Sequence, residues 1–313
     1  MQGRTWLDPV ALSRLGTLIF KARTVVEGAL SGLHRSPHHG SSVEFAEHKE
    51  YSPGDEIRHI DWKAYGKFDR YYVKKFEHET ELSAYLLLDR SGSMAYRGDG
   101  IAKLEYAAYL VAALTYLLNR QQDKVGLLAF GGGEQTYIPP RARANHLHDV
   151  LAAIDGIATA GGRGETDVVG ALDRVAELAG HRRSLILLVS DLFDPQSDKV
   201  VQALRRLRVQ RHDVAVVQLL DEHELELPFE GLTLFESLED DRKLLADPRA
   251  IRSMYLGELE GFLARVRKDC REGDVGHMLV STKQPLERTL IDLITTRGRG
   301  SKDPGAMPKV AQP

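Results

Sequence analysis

The stretch LLLDRSGSM, residues 86–94, leaves a run of leucines and at once presents Asp89, Ser91 and Ser93 in alternation. A carboxylate and two hydroxyls gathered at the end of a buried strand suit a hard cation or a phosphate. Gly92 lets the backbone fold tightly between the two serines. Two later stretches offer the same kind of atom. GGRGETD, residues 161–167, is a glycine-rich loop that leads into a helix and carries Thr166. LLVSD, residues 187–191, is a strand that ends in Asp191. Two acids and three hydroxyls make a low-charge oxygen site. Magnesium takes about six oxygens at about 2.1 Å and usually keeps several waters, so this donor set suits Mg2+, or Mn2+. It requires no cysteine or histidine, which disfavours zinc and copper. Asp89 and Ser91 alone read better as a helix-capping turn; Thr166 and Asp191 together tip the reading toward a metal. Asp167, next to Thr166, reads as a helix cap.

The elements that must hold these residues follow from periodicity. Residues 84–89, 125–130, 183–191, 213–220 and 276–282 are short apolar runs of the kind buried on both faces of a parallel sheet. Helical spacing is predicted for 102–119, 144–155, 167–179, 196–210, 249–271 and 285–295. The helix over 102–119 is apolar almost all round and is expected to be deeply buried. Alternation in residues 222–247 suits a hairpin or two short strands. Strands alternating with helices predict a doubly wound, mostly parallel α/β domain over 82–296. Functional groups of such sheets lie beyond the carboxyl ends of the strands, where Asp89 and Asp191 both sit. Ahead of this domain, residues 1–81 hold an amphipathic helix over 8–30, begun by Asp8-Pro9, and a polar, aromatic, partly β extension with a turn at SPGD (52–55) and a strand within 71–77. Residues 297–313 read as a disordered tail.

The whole-chain numbers leave few function classes open. A chain of 313 residues with 42% hydrophobic and 28% charged residues has ample material for a core. A formal charge of −3 gives no general pull toward nucleic acid or an anionic surface. A single cysteine, Cys270, excludes an internal disulfide framework and fits a reducing compartment. Neither a signal peptide nor a membrane span is expected, so the sequence reads as cytoplasmic. No Walker-type loop is present, since GGGEQT (131–136) lacks the lysine, and no G-x-S-x-G elbow occurs. A magnesium-dependent phosphohydrolase using Asp89 would want a second Asp where Ser91 stands, and a lysine for which the sequence marks no candidate. The basic run RRLRVQR (205–211) reads as a solvated helix end. His34, His38 and His39 read as loop residues, and Cys270 as a small buried apolar group.

DRSGSM, with Thr166 in GETD and Asp191 in LVSD, resembles the metal-ion-dependent adhesion site of von Willebrand factor A-like domains. In that motif an Asp-x-Ser-x-Ser, a Thr and an Asp lie on separate loops at the top of the sheet. The stretch YSPGDEIRHIDWKAYGKFDRYYVKKFEHETE, residues 51–81, resembles the signature of the bacterial family called domain of unknown function 58. Within it Asp55, Arg58, Asp61 and Trp62 read first as structural residues and second as a partner surface. The two resemblances together span roughly residues 30–295. They imply a von Willebrand factor A-like fold and a cation at Asp89, Ser91, Ser93, Thr166 and Asp191. They also imply a partner, an AAA+ ATPase of MoxR type, and the oxygen site without a general acid or a phosphate loop reads as that of a metal-dependent protein-interaction module with no catalysis of its own. The alternatives left open are the phosphohydrolase and a scaffold whose metal site is unused.

Overall fold

A computed structural model describes residues 17–34, 48–50, 72–74, 82–194 and 196–298. In chain order the elements are α1 (Leu18–His34), β1 (His48–Glu50), β2 (Tyr72–Lys74), β3 (Ser83–Asp89) and α2 (Lys103–Arg120). Next come β4 (Lys124–Gly131), β5 (Glu134–Arg141), α3 (Ala144–Ala160), α4 (Val168–Ala179), β6 (Ser184–Ser190) and α5 (Ser197–Val209). The chain continues through β7 (Asp213–Leu220), α6 (Glu222–Glu226), β8 (Thr233–Glu236), β9 (Lys243–Ala246), α7 (Pro248–Glu272), β10 (Gly276–Ser281) and α8 (Leu286–Gly298).

Six strands form one sheet in the order β10-β7-β6-β3-β4-β5. All neighbours are parallel except β4 and β5. The expected doubly wound α/β sheet is therefore present, with one antiparallel edge strand that the sequence does not advertise. That strand is β5, whose Pro139 and Pro140 argue against a strand anywhere but an edge, where an amide can go without a ladder partner. Its pairing with β4 is irregular between Val125 and Leu127.

The strands are apolar on both faces because helices cover both. Leu86 and Leu88 of β3 join a core with residues of α1, α2, α3 and α8. Tyr85 and Leu87 face the other way, into a core with Val168, Val200 and Val266 from α4, α5 and α7. Helix α2 is the central one: fourteen of its eighteen residues are buried, as its all-round apolar character predicts. Cys270 is buried on α7, in the second core.

Helix α1 buries Ala22, Val25, Val26 and Ala29 in the first core, so residues 1–35 group with 82–313. Residues 36–81 form a unit of their own, in which β1 and β2 pair antiparallel with His48 opposite Lys74. The start of the predicted 8–30 helix, the SPGD turn, Asp55, Arg58, Asp61, Trp62, His38 and His39 lie outside the described residues, as does the tail from 299. The ambiguous 222–247 segment resolves into the short helix α6 and a β8–β9 hairpin, in which Leu234 faces Leu245. The run RRLRVQR is more than a solvated face. Arg205 pairs with Glu272, Arg206 with Asp173, and Arg208 with Asp213 and Asp274. No described helix is long and apolar enough to cross a membrane.

Candidate metal centre

The sheet order reverses at β3. The chain passes from β3 outward to β4 and β5, then returns to place β6 on the other side of β3. Strands that leave in opposite directions open a crevice at their carboxyl ends, where open α/β sheets bind ligands. Leu88 lies opposite Val189 in the β3–β6 ladder, so Asp89, which ends β3, and Asp191, one residue beyond β6, reach the same crevice.

Asp89 is fully buried. One carboxylate oxygen accepts the Ser91 amide at 2.9 Å. The other accepts the Thr166 hydroxyl at 3.1 Å and the Ser190 hydroxyl at 2.6 Å. The Ser91 and Ser93 hydroxyls lie 3.1 Å apart. Asp89, Ser91, Ser93 and Thr166 thus form one oxygen cluster, as their spacing suggests. Backbone bonds fix the two loops to each other, from the Gly92 amide to the Gly164 carbonyl at 2.8 Å and from the Arg163 amide to the Arg90 carbonyl at 3.0 Å. The approach is close enough that a Cβ on Gly162 would sit 2.2 Å from the Ser91 carbonyl oxygen. Burial, and then the nearby Asp191 charge, lift the Asp89 carboxyl to about 6, against its hydrogen bonds from Ser190 and Ser91.

Asp191 reaches the crevice already engaged. One oxygen accepts the Phe193 amide at 3.1 Å and the other accepts Lys103 Nζ at 2.8 Å. Lys103, the first residue of α2, is fully buried and also donates to Glu224 Oε1 at 2.6 Å. Glu224 is aimed by a capping box at the start of α6, its other oxygen accepting the Asp221 amide at 2.7 Å. The Phe193 ring centroid lies 5.4 Å from the ammonium. Burial alone would depress the Lys103 ammonium, yet the Asp191 and Glu224 charges and hydrogen bonds raise it above its ordinary value. Leu192, the buried residue after Asp191, holds a left-handed φ of 62°, a conformation costly for a branched side chain. Asp167 caps α4 by accepting the Gly170 amide at 2.8 Å and takes no part in the cluster.

Sequence reasoning misses Ser190, Lys103 and Glu224. Ser190 is invisible because the apolar run 183–191 predicts only a strand residue there. Lys103 has a usable signal: a lysine opening a helix that is apolar all round must bury its charge against something. The absence of a marked phosphate-steadying lysine therefore needs correction, since the fold brings Lys103 to the crevice. Its ammonium is spent on two carboxylates and shielded from solvent. Among the described residues no three His, Cys, Asp or Glu side chains converge as a metal group. A cation here would depend on hydroxyls as much as on charge. The donor set fits one: hard neutral oxygens from Ser91, Ser93 and Thr166 surround a buried carboxylate, and one ammonium stands against Asp191, Glu224 and Asp89 together.

An α/β domain with an oxygen cluster at the switch point of its sheet is the class that the fold and site define. The chain belongs to the family described as Protein of unknown function DUF58, which matches residues 47–260. It is 27% identical over 300 residues to the Mycobacterium bovis protein named Uncharacterized protein Mb1516, covering 94% of this chain and 92% of that one. Uncharacterized protein Rv1480 of Mycobacterium tuberculosis matches to the same extent. Among solved structures, conserved hypothetical protein BatB from Bacteroides thetaiotaomicron aligns with a TM-score of 0.45 at 16% identity, covering 69% of this chain and 98% of that one. The SpRpn10 VWA domain aligns with a TM-score of 0.40 at 9% identity, covering 68% and 94%. None of these names specifies an enzymatic activity.

Proposed function

We propose that this protein is a metal-dependent protein-interaction module. Asp89, Ser91, Ser93 and Thr166 hold a divalent cation, Mg2+ or Mn2+, and Asp191 contributes from its pair with Lys103, directly or by orienting bound water. The cation's role is that of a Lewis acid whose remaining position takes a carboxylate from a partner protein. The observation that carries this reading is the hydroxyl-rimmed, buried carboxylate at the switch point of the sheet. The partner we propose is an AAA+ ATPase of MoxR type, acting in the cytoplasm on the assembly or maturation of other proteins. The support for that partner is the family resemblance of the PGD–R–IDW segment, and the single cysteine suits the compartment.

A phosphohydrolase reading gains little from Lys103. The Lys103 ammonium keeps one N–H beyond those bonded to Asp191 and Glu224, but it is fully buried and its charge is already met by two carboxylates. Ser91 still stands where a general acid would be needed. The test is capture of partners from lysate by wild type and Asp89→Ala, each with magnesium and with chelator, read by mass spectrometry. Retention of an AAA+ ATPase by wild type with magnesium alone supports the reading. The same ATPase in all four samples, or a magnesium-dependent phosphatase activity lost in Asp89→Ala, overturns it.

A further inference from the structure

The hairpin of β8 and β9 has no part in the sheet, yet its tip touches the oxygen cluster. Its turn, residues 237–242, reads SLEDDR. The Ser237 hydroxyl accepts the amides of Glu239 and Asp240, both at 3.3 Å, and the Ser237 amide donates to the Arg242 carbonyl at 2.9 Å. This small hydrogen-bonded turn turns Glu239 inward. The Ser93 amide points to Glu239 Oε1 at 3.4 Å, so a carboxylate from 146 residues away meets the serine at the mouth of the cluster. The approach extends to the backbone. A Cβ on Gly92 would sit 2.0 Å from the Leu238 carbonyl oxygen and 3.2 Å from the Glu239 amide nitrogen. The glycine between the two serines therefore does two things: it turns the Asp89 loop and leaves room for the hairpin to lie on it.

This arrangement has an electrostatic cost. Burial is what chiefly disfavours the Glu239 carboxylate; the hydrogen bonds from Ser93 favour it, and the charges of Asp191 and Glu165 oppose it least. Arg242, the nearest basic residue in the turn, pairs with Asp240 instead. A partly buried carboxylate at the mouth of the oxygen cluster, with no ion pair to a basic side chain among the described residues, suits a place where a cation completes the charge.

We propose that Glu239 is a ligand of the cation supplied in cis, with the β8–β9 hairpin folded over the site to hold its carboxylate where a partner's carboxylate would bind. This rests on the reading of the cluster as a cation site and adds a closed state to it. In the free protein Glu239 satisfies the metal. A partner carboxylate must displace it, and the hairpin must lift from Gly92 as it does so. Leu234 and Leu245, paired on the hairpin and both more than half exposed, move with it.

The test is Mn2+ binding, with Mn2+ as the only probe, measured by the loss of the free-ion electron paramagnetic resonance signal. Wild type, Glu239→Gln and Asp89→Ala are compared, with circular dichroism as the check on folding. Glu239 is on a surface turn, so its substitution by the isosteric amide leaves the fold intact. Glu239→Gln is expected to bind about tenfold more weakly than wild type, at the lower end of what metal-site substitutions cost. Asp89→Ala is expected to bind none. Equal affinity in wild type and Glu239→Gln, with Asp89→Ala inert, overturns the cis ligand and leaves the cation site standing. Wild type that takes up no Mn2+ overturns both. As a second readout, trypsin cleavage after Arg242 is expected to slow several-fold when Mn2+ is added to wild type and to be unchanged in Glu239→Gln.

Discussion

Lys103→Met is the substitution whose effect the structure fixes most closely. The side chain is similar in length and carries no charge, so it strands Asp191 and Glu224 in the interior. At 2.8 and 2.6 Å each ion pair is worth about 6 kcal/mol at an effective dielectric constant of about 20. Removing three ions from water costs several kcal/mol apiece, which consumes most of that attraction. Removing the ammonium alone forfeits the attraction and keeps the carboxylates buried, a loss of about 3–5 kcal/mol. Urea unfolding of wild type and Lys103→Met in chelator measures it directly. Lys103→Met/Glu224→Gln relieves one stranded carboxylate and is expected to recover about 1–2 kcal/mol, the size typical of coupled neighbours. Magnesium should stabilise Lys103→Met more than wild type, because Asp191 is then free to face the cation. A Lys103→Met protein within about 1 kcal/mol of wild type, with Glu224→Gln purely additive, would refute the picture of a buried charge triad at the crevice.

Other expectations are narrower. Gly92→Ala places a Cβ 2.0 Å from the Leu238 carbonyl, so the hairpin must move, and trypsin cleavage after Arg242 should accelerate while the sheet stays folded by circular dichroism. Burial, with a smaller push from Arg267, lowers His277 from 6.5 to about 4. A depressed histidine contributes stability that is present above pH 6.5 and lost as pH falls toward 4, so up to about 3 kcal/mol should disappear across that window and His277→Gln should flatten the loss. Burial, and then the Asp269 charge, push the Cys270 thiol up to about 12. Native protein at pH 8 should leave a thiol reagent unreacted over minutes and consume one equivalent once unfolded in guanidinium.

Much of this molecule can be read before folding. The five parallel core strands and the helices between them follow from apolar runs alternating with helical periodicity. Asp89, Ser91, Ser93 and Thr166 meet because each follows a strand or precedes a helix at the same end of the sheet. What escapes sequence has physical causes. Strand β5 hides behind Pro139 and Pro140, since propensity speaks against a strand and only an edge position tolerates them. Asp191 reads as an open acid because nothing local tells that a lysine 88 residues earlier will claim it. The lysine is passed over in sequence although it opens a helix that is apolar almost all round, because its partner depends on where β6 and α6 end. Glu239 is the least legible of all. It lies in the 222–247 stretch, which reads only as a hairpin or two short strands, and the close approach of Leu238 to Gly92 brings it to the cluster.

The most direct test of the central claim is a crystal of the wild-type protein soaked in Mn2+, with the ion located by anomalous scattering. The account predicts one strong peak within about 2.1–2.3 Å of oxygens from Asp89, Ser91 and Ser93, with Glu239 or water completing the shell and Lys103 still on Asp191. A fully soaked crystal with no peak in the crevice, or with a water there bonded only to the serines, would contradict it.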